Sequence, residues 1–468
     1  MKMIKAFIPC SATVAIFLAG CHVGPRYSRP QALAPAAYQG ADGASLPADT
    51  SESIGDLQWS SVFPQPELQG LIREALAGNL DLKIAAERVL EAQQQVRITH
   101  AQQMPSVEVS AAGGGPELPA STFGYNGDPA TMGGLSLSGS WALDFWGSYR
   151  KQTEVAKEQL LAQEWARRAV RLSLVEQVAS TYLQLRSLDM QLDLARQTFN
   201  RRQQSVQLMQ TLESHGSIPL SDLRQAEVLL YNASSAVPRL EEQVQQTENT
   251  LQLLLGKAPG KVVHESLHAL DAPPVNVPVG LPSQLLERRP DIQQAEAQLK
   301  AANAQVGIAR ARFFPQISLS ASEGVGGGSL SSFADPASAA GYALGQLVQP
   351  IFTGGRIRGQ YELSKKQKEE MLLNYQSTIL TSLRDVSNAL IATRKQRAMR
   401  EEQEKLVHAS KDAARLATLR YQAGAASYLE VLTAETSLFD AQLAYVQAQQ
   451  NESAALVQLY AALGGGWQ

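Results

Sequence analysis

His264-Glu265-Ser266-Leu267-His268 fits H-E-x-x-H, the spacing that sets two histidines on one helix face to hold zinc while the glutamate serves as base. That chemistry needs a supporting helix, a third ligand and an enclosed pocket. Pro259-Gly260 precede the motif, Pro273-Pro274 follow it, and only His408 lies further downstream, so the segment reads as a linker. Gly326-Gly327-Gly328 and Gly464-Gly465-Gly466 lack the strand-and-helix setting of a phosphate loop, and no nucleophile sits in a recognisable elbow. Arg288-Arg289, beside Pro290-Asp291, reads as a charged helix start. No catalytic residue, metal or cofactor is expected.

One residue does call for chemistry. Lys2 and Lys5 precede an apolar run from Ala12 to Ala19 that is too short to span a bilayer, the pattern of an export signal. The run ends Leu18-Ala19-Gly20-Cys21, which looks like a bacterial lipobox: cleavage before Cys21, then acylation of its thiol. Cys10 leaves with the signal, so Cys21 is the sole mature cysteine and no intrachain disulfide can form. The formal charge of −3 becomes −5 without Lys2 and Lys5, leaving nothing basic enough to bind nucleic acid. A polar, Pro-rich tether follows, with Pro25, Pro30, Pro35 and Pro47.

The elements that must carry any function are organised by duplication. Asp81–Ala111 and Asp291–Ala321 align without a gap, sharing among others Ala85/Ala295, Gln95/Gln305, Ile98/Ile308 and Pro105/Pro315. Proline cannot donate to a helix ladder and pushes its predecessor towards extended geometry, so helix should become strand at Pro105 and again at Pro315. After Pro105, Val107, Val109 and Ala111 alternate with Ser106, Glu108 and Ser110. Past the loop Gly113–Thr131, Leu135, Leu137, Gly139, Trp141, Leu143 and Phe145 alternate with Ser136, Ser138, Ser140 and Asp144. The second copy repeats this with Ile317, Leu319 and Ala321 against Ser318, Ser320 and Ser322, then the loop Gly324–Gly341 and a weaker strand from Tyr342 to Val348. Strands greasy on one side and serine-rich on the other suit a membrane barrel, with Trp141 and Trp146 as an interfacial girdle. Four strands cannot close alone, because an open edge in lipid strands its backbone groups.

From about Gln152 to Glu213 no proline interrupts an apolar stripe containing Leu172, Val175, Ala179, Tyr182, Leu188, Leu192, Ala195 and Phe199. Those spacings indicate coiled-coil packing. Roughly sixty residues at about 1.5 Å each predict about 90 Å of helix, and a matching stretch runs from about Arg356 to Gln422. The first helix should reverse at Ser214-His215-Gly216-Ser217-Ile218-Pro219 and the second at Gln422-Ala423-Gly424-Ala425-Ala426-Ser427. Glycine suits the left-handed residue that ends a helix, and Pro219 and Ser427 suit the start of the next. The returning helices should end at Leu255-Gly256 and Leu463-Gly464.

Several motifs together resemble the lipoprotein (NodT-type) branch of the TolC/OprM outer-membrane efflux family. They are Cys21-His22-Val23-Gly24-Pro25-Arg26-Tyr27, Leu281-Pro282 through Glu287-Arg288-Arg289-Pro290-Asp291-Ile292, Phe313-Phe314-Pro315, Gln349-Pro350-Ile351-Phe352, Arg420-Tyr421-Gln422-Ala423-Gly424 and Ala462-Leu463-Gly464-Gly465-Gly466-Trp467. The resemblance implies a mixed α and β homotrimer, four strands per chain making a 12-stranded outer-membrane β-barrel continuous with a long periplasmic α-helical barrel. Strand arithmetic agrees: two copies would give eight strands and a filled interior, three an aqueous lumen.

The resemblance further implies a passive exit duct for an RND-type multidrug or toxic-compound export system, partnered by a periplasmic membrane-fusion adaptor, an energised inner-membrane transporter and outer-membrane lipid. It makes the helical turns a closed gate and adaptor-docking tip, at Gly216, Ser217, Ile218 and Asp222 and at Gly424, Ala425, Ser427, Leu429, Glu430 and Thr433. Leu429 matches a leucine that narrows the tip in related channels, whereas Thr433 stands where an aspartate is expected; Asp222 and Glu430 could supply the acidic lining. The chain then divides into a signal (1–20), a lipidated tether (21–65), a first repeat (66–260; strands about 105–112 and 134–145), a linker (261–281), a second repeat (282–464; strands about 315–323 and 341–350) and a tail (465–468). The competing readings are a lipid-anchored periplasmic coiled-coil adaptor, which would lack the serine-alternating strand pairs, and a type I secretion duct. If Cys21 carries the anchor, radioactive fatty acid should label the wild type and not Cys21→Ala; equal labelling of both would remove the lipobox assignment.

Overall fold

The computed structural model describes residues 23–31, 35, 38, 53–114, 132–262, 280, 282–327, 335–336 and 339–467. Cys21, the His264–His268 motif and most of the predicted linker lie outside these residues. The chain divides into two compact units. Met1–Gln31, Arg88–Glu164 and Gln294–Tyr375 form the first; Ala32–Glu87, Trp165–Gln293 and Gln376–Gln468 form the second.

The helices, in chain order, are α1 (Trp59–Val62), α2 (Pro66–Gly78), α3 (Leu80–Ala101), α4 (Ser148–Ser214), α5 (Leu220–Leu254), α6 (Leu285–Arg288), α7 (Pro290–Ala311), α8 (Arg356–Gln422) and α9 (Tyr428–Ala462). The strands are β1 (Ser106–Gly114), β2 (Met132–Leu143), β3 (Gln316–Gly327) and β4 (Ala339–Val348). Among the described residues, no helix is long and apolar enough to cross a membrane.

In the first unit, α3 and α7 each end in a tight turn, Met104 N donating to Ala101 O at 3.0 Å and Phe314 N to Ala311 O at 3.1 Å. Pro105 and Pro315 follow, and the strands begin one residue later. The sheet is antiparallel in the order β1-β2-β3-β4, so each copy contributes a hairpin and the copies join along β2–β3. Register puts serine against serine: Ser106 opposite Ser140, Ser110 opposite Ser136, Ser138 opposite Ser322 and Ser140 opposite Ser320. The first two pairs share hydroxyl hydrogen bonds of 2.8 Å. Val107, Val109, Leu135, Leu137, Trp141, Ile317 and Leu319 occupy the other face.

Two expectations change. β4 does not follow the serine pattern: Tyr342 and Leu344 lie opposite Ser322 and Ser320, and all ten residues of the strand are exposed. β2 stops at Leu143 because Asp144 turns to cap α4, its carboxylate accepting from Tyr149 N at 3.1 Å and Arg150 N at 2.9 Å. Phe145 and Trp146 therefore lie beyond the strand; the Trp146 indole stacks on Phe314 at 4.7 Å and donates to Pro315 O at 2.6 Å, tying the two copies.

Residues 23–31, at the start of the expected tether, are packed. Asn303 donates to Pro25 O at 3.1 Å, and Tyr27 and Arg29 close on Glu296 of α7 at 3.2 Å and 2.6 Å. The Glu296 side chain is 5% exposed. Burial alone would raise its pKa; the Arg29 hydrogen bonds and the charges of Lys300 and Arg29 outweigh burial and hold it below the ordinary carboxylate value.

In the second unit the apolar stripe of α4 is the packing seam, with Leu188, Leu192 and Ala195 buried against Ala236 and Leu240 of α5. Arg288 and Arg289 do more than begin a helix. Arg288 pairs with Asp56 at 2.7 Å, and Arg289 reaches Asp291 and the Ala462 carbonyl at 2.7 Å and 3.0 Å.

The depressed pKa of Glu296 has a defined sign. Its stabilisation is complete above the unfolded carboxylate pKa and is lost as pH falls through the lower folded value. Amide exchange in residues 23–31, corrected for intrinsic rates, should stay protected at neutral pH and rise in acid. Glu296→Gln should raise neutral exchange and flatten the pH dependence, and an unchanged acid response in that variant would exclude Glu296 as its source.

Candidate functional site

The best-defined constellation is the pair of helix reversals in the second unit. α4 and α8 are each 67 residues long, and α5 and α9 each 35. Their ends are closed by one hydrogen-bond pattern. Gly216 N donates to Glu213 O at 2.8 Å and Ser217 N to Leu212 O at 2.9 Å; Gly424 N donates to Tyr421 O at 2.9 Å and Ala425 N to Arg420 O at 2.8 Å. This is the Schellman arrangement, which requires a left-handed residue. Gly216 and Gly424 both have φ of 70°, and a Cβ at either would meet nothing within 4 Å. Backbone conformation alone demands glycine there.

The returning helices start without side-chain caps at Pro219 or Ser427. The Ser427 hydroxyl thus does not fill the role its position suggested; the carbonyls of Pro219 and Ser427 accept from Asp222 N at 3.0 Å and Glu430 N at 3.1 Å.

The two reversals share one core. Val206, Met209, Leu223 and Ala226 from the first hairpin are buried with Ala417, Tyr428 and Val431 from the second, and Ile218 and Tyr421 pack against them. Tyr421 and Tyr428 lie 5.2 Å apart, and burial raises both phenol pKa values, Asp222 adding to the effect on Tyr421. Glu430 accepts from Arg420 Nη1 at 2.5 Å, and Arg420 Nη2 lies 3.4 Å from Ala425 O, bracing the second turn across its own strands of helix. Leu429 and Thr433 are exposed one turn apart on α9, the Thr433 hydroxyl donating to Leu429 O at 2.9 Å. Ser217 and Ala425 are exposed at the turns.

Sequence reasoning missed three contributors. Arg420 stands ten positions before Glu430, a distance that only the turn between them closes. Tyr428 carries much of the shared core. Arg202 is 5% exposed, donates to Leu229 O at 2.8 Å and lies 5.3 Å from the Phe439 ring, with burial lowering its pKa. The second of two adjacent arginines, Arg201-Arg202, gave no signal of that burial.

The duplication, the open serine-faced sheet and the paired helical reversals define a channel-type protein. The chain belongs to the outer membrane efflux protein family, whose model matches residues 71–257 and 281–465, one match per copy. It is 33% identical to the cation efflux system protein CusC of Escherichia coli O6:H1 over 97% of this chain and 98% of that protein. Identity to the probable outer membrane lipoprotein SilC of Salmonella typhimurium is 32%, over 98% of each chain. The crystal structure of the open state of the Neisseria gonorrhoeae MtrE outer membrane channel matches with a TM-score of 0.84 at 29% identity, covering 96% of this chain and 99% of that one. The chain is an outer-membrane efflux channel protein, and the periplasmic-adaptor alternative falls away.

Gly424→Val must distort the second turn through φ alone, at a cost of about 1–2 kcal/mol for a non-glycine residue in that region. The expected outcome is normal outer-membrane abundance with lost resistance or entry of a large glycopeptide antibiotic. Resistance and permeability both unchanged would show that the turn is not part of a gate.

Proposed function

We propose that three copies of this chain form a passive exit duct, a 12-stranded barrel in the outer membrane with a helical conduit in the periplasm, serving an RND-type tripartite export system. The observation that carries this reading is the sheet: across β1 to β3 one face is apolar but for Glu323 and the other is serine-rich, with β1 and β4 as open edges. In hydrocarbon each unpaired backbone group costs several kcal/mol, so such a sheet must close with others like it. Lipid on Cys21 would anchor the chain. An inner-membrane energised transporter would supply the cargo through a periplasmic adaptor.

In this reading the reversals at Gly216 and Gly424 form the gate and docking tip. The brace between Arg420 and Glu430 holds the second turn, and Leu429 lines the constriction. Thr433 offers a hydroxyl where related channels place a carboxylate; Asp222 supplies acid at this end, while the Glu430 carboxylate is committed to Arg420. The lumen's serines suit water and select no particular compound, which assigns selectivity to the transporter.

Deleting the gene should raise accumulation of an efflux-substrate dye, and a plasmid copy should restore export. The loops between paired strands face the cell exterior in this topology. Asn126→Cys and Ser332→Cys should therefore react with an impermeant maleimide on intact cells; labelling only after permeabilisation of the outer membrane would invert the topology.

A further inference from the structure

The internal duplication specifies how one copy of this chain meets the next, given the closed barrel proposed above. Pairing within each hairpin sets the equivalence: Ser106 lies opposite Ser140 in the first copy, and Gln316 opposite Val348 in the second. Ser140 thus corresponds to Val348, and Ser106 to Gln316. The same offset holds beyond the sheet, where Gly147 at φ 75° and Gly355 at φ 84° immediately precede α4 and α8. Leu143 corresponds to Ile351, and Ile317 to Val107.

Where the two copies join inside one chain, Leu143 lies opposite Ile317 and Ser140 opposite Ser320. β2 follows β3 to Leu143, although its pairing with β1 ends at Ser140. Among the described residues β4 has a neighbour only in β3, and it ends at Val348. Directly after it Ile351 and Phe352 are 96% and 89% exposed, and across the sheet Val107 and Val109 of β1 are 69% and 70% exposed.

We infer that β1 of a second copy pairs with β4 in the register that repeats the internal joint, with Ile351 opposite Val107 of the next chain and Val348 opposite its Ser110. β4 then extends through Ile351. A one-residue slip would turn the apolar set of one strand to the wrong face. A two-residue slip keeps the faces but gives the joint between chains a different stagger from the joint within them; equal joints let all strands of a closed barrel share one tilt. Pro350 removes one donor near the strand end, where proline is tolerated.

Paired cysteines in the full-length protein, oxidised in native outer membranes, test the register. Ile351→Cys with Val107→Cys and Val348→Cys with Ser110→Cys lie on opposite faces and sample both kinds of antiparallel pair. Directly opposite Cβ atoms are about 4.5–5.5 Å apart and diagonal neighbours about 7–8 Å, so the slipped pairs Ile351/Val109 and Val348/Glu108 serve as controls. At least one in-register pair should give thiol-reversible products up to a closed three-chain species, several times more than its control. An amine-reactive cross-linker on the same membranes counts chains independently of register. Three chains by that count with disulfides only in the slipped pairs, or in none, overturns the register and leaves the duct; no oligomer by that count removes both.

Discussion

Every other feature of this chain depends on the fate of the backbone groups along the outer edges of β1 and β4. Inside the sheet each strand has its ladder, and serine pairs satisfy one another across it. At the edges no strand among the described residues does so. A membrane offers no water to take their place; in the closed barrel proposed above further copies take them up, and the duplication offers that joint the same form as the one within the chain. The helices inherit this requirement, because each strand pair is held at both ends by a helix that starts or stops at Pro105, Pro315, Asp144 or Gly355.

Much of this was legible in the sequence because it was written in residues with narrow conformational rights. Pro105 and Pro315 fix where helix yields to strand, and Gly216 and Gly424 fix where the long helices turn. The serine alternation of β1 to β3 fixed their faces. β4 resisted the same reading because Tyr342 and Leu344 stand on the serine face, where neither alternation nor propensity identifies their neighbours. Phe145 was misplaced for a related reason: an aromatic two residues past a strand looks like its continuation until Asp144 is seen to cap the next helix. Ion pairs were the least legible. The distance from Arg420 to Glu430 closes only once the turn exists, and the pairing of Arg29 with Glu296 spans most of the chain.

The helical reversals show how one backbone solution can carry two chemistries. Both close with the same hydrogen bonds around a left-handed glycine, yet the first presents Ser217 and Ile218 before a proline, while the second presents Ala425 and Ser427 beside the Arg420–Glu430 pair. Their common core ties the hairpins together below surfaces that remain free to differ.

The matched lengths of the hairpins restrict how this protein can evolve. α4 and α8 have the same number of residues, as do α5 and α9. A single added residue in one long helix would rotate everything beyond it by about 100°, turning Val206 and Met209 away from the core they share with Tyr428. Lengthening is therefore compatible with the seam only in whole repeats of its packing pattern, made in both arms of both hairpins at once. A bacterial envelope that widened gradually could not be followed by gradual change in such a chain. Its reach is quantised, and small mismatches in spacing must be absorbed by whatever it meets.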